Sequence, residues 1–174
     1  MPEVMFRLRL PEGAGVAGAA MLVAYPNGTY RTGRTDAGGE WSLDLYRTDQ
    51  EMTVLAAAPG HLPLSRTVVP DEGPVELAME PSTNGRSSVL FTKSTGHIPG
   101  VEGRLNPIND GRIYFYADNI AVDGRVANPA PVEIGEPLHL IDVYGVETEI
   151  RFIVVTAQFS LIEYTEPRPF GAQP

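Results

Sequence analysis

Glycine and proline punctuate this chain so evenly that they leave no stretch for a long helix. There are 18 glycines and 16 prolines among 174 residues. In a helix interior glycine costs about 1 kcal/mol and proline about 3 kcal/mol relative to alanine. No long segment carries apolar residues at i, i+3, i+4 and i+7. Short runs alternate apolar and polar residues instead, and turn residues separate them, as in antiparallel β-structure. The expected fold class is all-β.

The alternation is legible run by run. Val4, Phe6, Leu8 and Leu10 share one face of the first run, and Arg7 and Arg9 share the other. A stretch of small apolar residues occupies 16–25. Asn27-Gly28 is then expected to form a type I′ hairpin turn, which needs positive φ at both central residues, and 29–36 returns. Ala37-Gly38-Gly39 turns again, and Trp41, Leu43 and Leu45 point to one face, the expected core side. Further strands are expected at 52–58, 61–69 and 75–79. Seven short strands in the first half favour a sandwich.

The polar, turn-rich segment Glu80 to Arg86 marks a domain boundary. The expected division is a first domain at 1–81, a second at 82–166 and a frayed tail at 167–174. In the second domain, strands are expected at 88–92, 112–116, 120–122, 132–134, 138–142, 149–156 and 159–164, with a Gly/Pro-rich loop over 96–109. That pattern suggests a small, SH3-like barrel.

Composition narrows the function classes. Hydrophobic residues make up 43% of the chain, enough to build a core. The net charge of −9 repels phosphate backbones, Lys93 is the sole lysine, and no basic patch is apparent. No nucleic-acid partner is therefore expected. The absence of cysteine excludes disulfides, thiolate metal sites and cysteine nucleophiles. The N-terminal residues Met1 to Arg7 lack the basic and apolar regions of a secretory signal, and no apolar run reaches bilayer-spanning length. The expectation is a cytoplasmic protein with no membrane partner, export by another route leaving no mark of this kind.

Residues 13–80 resemble the carboxypeptidase regulatory-like domain, a transthyretin-type β-sandwich. Gly15-Val16-Ala17-Gly18-Ala19 stands where that family has its Gly-x-Val-x-Gly-Ala opening. Thr35-Asp36-Ala37-Gly38-Gly39-Glu40-Trp41 matches its Thr-Asp-x-x-Gly-x-aromatic signature. Met52-Thr53-Val54 leads to Ala57-Ala58-Pro59-Gly60-His61, where the family ends a strand in glycine before tyrosine or histidine, and Val75-Glu76-Leu77 supplies the closing strand. The resemblance implies a fold common as an accessory and implies no activity. Two enzyme families share the topology. The 5-hydroxyisourate hydrolases need a His/Arg cluster and a C-terminal Tyr-Arg-Gly-Ser, whereas this chain ends Phe170-Gly171-Ala172-Gln173-Pro174. The intradiol dioxygenases bind ferric iron through two tyrosines and two histidines, whereas the first half holds only His61. The second half is loosely similar to a small bacterial β-barrel module of unassigned role, through Thr95-Gly96-His97-Ile98-Pro99-Gly100, Gly103 to Pro107 and Tyr116 to Ile120.

No catalytic residue, metal ligand or cofactor is expected. His61, His97 and His139 have no metal-binding spacing. Asn109-Asp110-Gly111 and Asp123-Gly124 read as hairpin turns rather than calcium loops. There is no Gly-x-Ser-x-Gly elbow and no P-loop. A dispersed carboxylate pair such as Asp118 with Asp142 stays open. The candidate ligand- or partner-binding residues are His97, Arg104 and Asn106, in a loop whose glycines allow close approach, together with Asp118, Asn119, Tyr114 and Tyr116. The competing structural reading is an ordered loop packed over a barrel end, with Arg104 paired to Asp118 or Glu102. The functional expectation is a non-enzymatic protein-binding or assembly module of a bacterial multi-component system, its partner another protein or a second copy. The alternatives are a carbohydrate or small-ligand binding module and an uncharacterised hydrolase.

Overall fold

Phe6 and Trp41 lie opposite one another on adjacent antiparallel strands, with ring centroids 5.7 Å apart. Phe6 belongs to the buried core of the first unit, and Trp41 packs against that core. The computed structural model describes residues 2–71, 74–126 and 129–171. It divides into two units, 1–82 and 83–174, and every regular element among the described residues is a strand. No helix among them is long and apolar enough to cross a membrane.

The first unit contains β1 (Glu3–Arg9), β2 (Ala20–Ala24), β3 (Tyr30–Arg34), β4 (Glu40–Asp44), β5 (Met52–Ala57), β6 (Leu64–Val68) and β7 (Val75–Ala78). One sheet runs β4-β1-β7 and the other β3-β2-β5-β6. Val4, Phe6 and Leu8 of β1 and Leu43 of β4 share one buried cluster with Met21 and Val23 of β2 and Val54 of β5. Burying apolar area of this kind stabilises by roughly 25 cal/mol per Å². The expected alternation in β1 is present: Arg7 and Arg9 point away from that core and pair with Glu40 and Glu76. Trp41 is half-buried against the same core. Its indole lies over Gly33 of the opposite sheet, where a Cβ would sit 2.2 Å from Nε1.

The turn at Asn27-Gly28 differs from expectation. Gly28 has φ +90°, but Asn27 is not in the left-handed region, so the type I′ form is excluded. Gly28 N donates to Tyr25 O and Tyr25 N donates to Thr29 O. This is a type I turn closed by a left-handed glycine, a geometry that Pro26 favours by presetting φ at the first central position. The Asp36 turn is built the same way. Gly39 takes φ +80°, and Asp36 Oδ1 accepts from the amides of Gly38 (2.9 Å) and Glu40 (3.0 Å).

The second unit contains β8 (Arg86–Phe91), β9 (Leu105–Asn109), β10 (Ile113–Ala117), β11 (Ala121–Val122), β12 (Arg125–Val126), β13 (Ala130–Pro131), β14 (Leu138–Ile141), β15 (Val146–Val155), β16 (Ser160–Thr165) and β17 (Arg168–Pro169). One sheet runs β12-β11-β14-β15-β16-β8, with β17 also pairing to β15, and the other runs β13-β10-β9. Phe115 of β10 and Phe152 of β15 are fully buried with centroids 5.2 Å apart, joining the two sheets through one core.

Three expectations change here. The segment read as a loop ends in β9. Pro107 disfavours a strand in sequence, but β9 lies at its sheet's edge, where a missing N–H is tolerated. The strand expected at 132–134 forms at 130–131 instead. The segment expected to fray contains β17, and Phe170 N donates to Gly145 O. Residues 172–174 of that segment lie outside the described residues.

Candidate functional site

The candidate residues of the second unit fall into two groups. Gly96 and Leu105 exchange backbone hydrogen bonds, which closes the intervening segment into a loop. Ile98 and Val101 anchor that loop in the core. His97 Nδ1 meets Gly103 O at 2.8 Å, which requires that nitrogen to carry the proton. Gly103 has φ +109°, and a Cβ there would lie 2.4 Å from Asp118 O, so the loop packs directly on the turn after β10. Arg104 reaches Asp118 Oδ2 through Nη2 at 3.1 Å and Nε at 3.2 Å. Asn119 occupies a left-handed position with φ +58°. Arg104 is thus paired with Asp118, Asn119 follows Asp118 in the same turn, and His97 is held by the backbone of Gly103.

Asp142 has the firmest electrostatic role in this unit. Its Oδ1 accepts from Tyr144 N and Val146 N at 2.9 Å each, and its Oδ2 accepts from Glu102 N at 2.8 Å. Burial pushes its carboxyl pKa up, but the amides of Glu102, Val146, Tyr144 and Gly145 outweigh burial and hold it below the usual carboxylate range. Asp142 therefore ties the turn before β15 to the loop 96–105. With its oxygens occupied in this way, and Asp118 held by Arg104, the two carboxylates serve as anchors rather than as an acid–base pair.

Asn106, Tyr114 and Tyr116 form the second group, on the outer face of the β13-β10-β9 sheet. Cross-strand register sets Tyr114 opposite Ile108 and Pro131, and Tyr116 opposite Asn106. The two tyrosine rings meet edge to face, with centroids 6.1 Å apart at 78°. Tyr114 Oη donates to Asp110 Oδ2 at 2.9 Å. That bond lowers the Asp110 pKa and raises that of Tyr114. Tyr116 is 39% exposed. A hollow of about 450 Å³ lies nearby at Val122, Arg125 and Leu138, and one of about 340 Å³ lies on this face at Arg112, Tyr114, Tyr116, Pro129 and Pro131.

Sequence reasoning missed a third place. A cleft of about 630 Å³ is lined by His139, Glu147, Glu149, Thr165, Glu166 and Arg168. His139 Nε2 lies 2.8 Å from Glu147 Oε2, and Arg168 Nε lies 3.7 Å from the other oxygen of Glu147. A carboxylate-oriented imidazole is a proton-handling unit. The Thr148 hydroxyl, however, donates to Thr165 O at 2.6 Å, so it is engaged as a strand-to-strand tie. The surplus of carboxylates suits a cationic or hydroxyl-rich ligand better than a phosphate. The signal was present in the pairing: His139 faces Glu149 across the β14–β15 hairpin, with Glu147 on the diagonal. Among the described residues, no group of three or more His, Asp or Glu side chains is arranged to hold a metal ion.

No protein-family model matches the chain. It is 30% identical over 152 residues to the 3' cyclic ADP-D-ribose synthase AaTIR of Aquimarina amphilecti. The match covers 86% of this chain and 46% of that protein, so the chain spans about half the length of the curated relative it matches. This similarity corrects the functional expectation. A non-enzymatic assembly module was expected, and the relative is an enzyme. The carbohydrate-module and hydrolase alternatives gain no support from it. Reasoning from absent motifs failed for a physical reason: missing elbows and phosphate loops exclude those particular constellations and no others.

Proposed function

We propose that this chain is a working part of a 3' cyclic ADP-D-ribose synthase. The observation that carries the reading is the extent of the similarity: 152 aligned residues in a chain of 174 must draw on both β units. Cyclising ADP-ribose requires an activated ribosyl carbon, a ring-closing hydroxyl held within reach of it, and a site that carries the pyrophosphate. More than half of the relative lies outside the match, so the reading assigns the reaction to the complete enzyme.

The finer fold assignment belongs to the same proposal. The first unit is read as a transthyretin-type sandwich of the carboxypeptidase regulatory-like kind. Its two facing sheets support that reading, as does the interlocking of segments 15–19 and 35–41 through Thr35. The second unit is read as a small SH3-like barrel, supported by its two sheets around one core and by the irregularity between Phe152 and Val154 that bends β15.

The test is to incubate the polypeptide that carries this chain with NAD as ADP-ribosyl donor and to resolve the products by chromatography and mass spectrometry. Formation of the 3'-linked cyclic product is the expected result. Donor left intact, or a product lacking that linkage, overturns the proposal.

A further inference from the structure

The outer face of the β13-β10-β9 sheet has the chemistry of a seat for a planar, phosphorylated ligand. Its inner face supplies Leu105, Phe115 and Ala130 to the core, so the sheet is rigidly backed. The outer face carries two tyrosines at right angles, and the Asp110 bond fixes one of them in place. Pro131 flanks the same row, and exposed Arg112 stands at its end. The Arg112 guanidinium forms no hydrogen bond or ion pair with the described residues; the Asp110 carboxylate, which it influences electrostatically, is engaged by Tyr114 Oη and by Arg112 N. The hollow above these side chains is about 340 Å³, within the size range of small-molecule sites. Aromatic faces stack on nucleobases, and guanidinium groups recognise phosphate through paired N–H donors.

We propose that this face binds the adenine nucleotide end of an ADP-ribosyl compound, with the base stacked on Tyr116 and a phosphate on Arg112. The proposal rests on the synthase reading, which supplies the nucleotide class. Tyr114 positions Tyr116 by its edge contact and is not itself the stacking surface. In contrast to the His139 cleft with its glutamates, this face offers an exposed guanidinium, without an ion pair among the described residues, beside aromatic rings.

The test titrates ADP-ribose, adenosine and ribose 5-phosphate into the 174-residue chain by NMR, with Tyr116→Ala, Tyr116→Phe and Arg112→Ala variants whose amide spectra report on the fold. ADP-ribose is expected to shift the resonances of Tyr114 and Tyr116. Tyr116→Ala should weaken its binding by about tenfold or more, the usual scale of base–aromatic stacking, and Tyr116→Phe should retain it. Arg112→Ala should weaken ADP-ribose and leave adenosine unchanged, and ribose 5-phosphate should bind far more weakly than ADP-ribose. Equal affinity for ADP-ribose in wild type and Tyr116→Ala overturns the site, as does an absence of shifts on this face. If the carrying polypeptide makes the cyclic product while Tyr116→Ala leaves its KM unchanged, the site falls and the synthase reading stands. If ADP-ribose binds here and no product forms, the site stands and the synthase reading falls.

Discussion

The hydroxyl of Thr35 donates a 2.6 Å hydrogen bond to the carbonyl of Val16, nineteen residues earlier in the chain. The same oxygen accepts from Ala19 N at 2.9 Å, and the backbones of Thr35 and Ala19 are also joined. Thr35 is 5% exposed, so both of its side-chain bonds are made away from water. Replacement by valine preserves shape and orphans one buried donor and one buried acceptor. Each orphaned group costs about 1–3 kcal/mol. Urea denaturation of Thr35→Val should show a loss of about 2 kcal/mol or more, with Thr35→Ser recovering most of it.

Gly33 and Trp41 make a second pair whose coupling can be measured. No backbone requirement explains the glycine, since its φ is not positive, but a Cβ there meets the indole. Gly33→Ala should destabilise the first unit by about 1–3 kcal/mol, as overpacking does. In a Trp41→Leu background most of that penalty should vanish. A double-mutant cycle with no coupling would contradict the packing described.

Asp142 makes the second unit acid-sensitive in a stated direction. Its folded pKa lies below its ordinary value, so the stabilisation it provides is complete above the ordinary carboxylate range. That stabilisation is lost as pH falls through the lowered folded value. Asp142→Asn keeps one acceptor oxygen for the turn but sets an NH₂ group against the Glu102 amide. The variant should lose about 1–3 kcal/mol at neutral pH and show a flatter stability profile on acidification.

The sequence carried the strands more clearly than it carried the sites. Alternation in Val4, Phe6 and Leu8 predicted the buried face of β1, because one face of that strand meets a core and the other meets water. Asp36 was legible for the same local reason, since an Asp two residues before glycine closes a turn on itself. Pro107 hid β9, because whether a proline sits at an edge depends on pairing that sequence does not display. The His139–Glu147 contact was invisible until the β14–β15 register fixed which side chains share a face. Arg104 with Asp118 was anticipated as one of two pairings, and the turn after β10 decides between them. The enzymatic relationship had no local signature at all, because it lies in the likeness of a long stretch and in no short motif.

The proposed synthase role is tested most directly by the product that the polypeptide carrying this chain makes. Time courses with NAD, resolved by mass spectrometry against linkage standards, give that answer. The account predicts a cyclic ADP-ribose with the 3' linkage, accumulating as donor is consumed and slowed when the chain carries Thr35→Val at a temperature that unfolds its first unit. Unconsumed donor, or a rate indifferent to the unfolding of this chain, would contradict it.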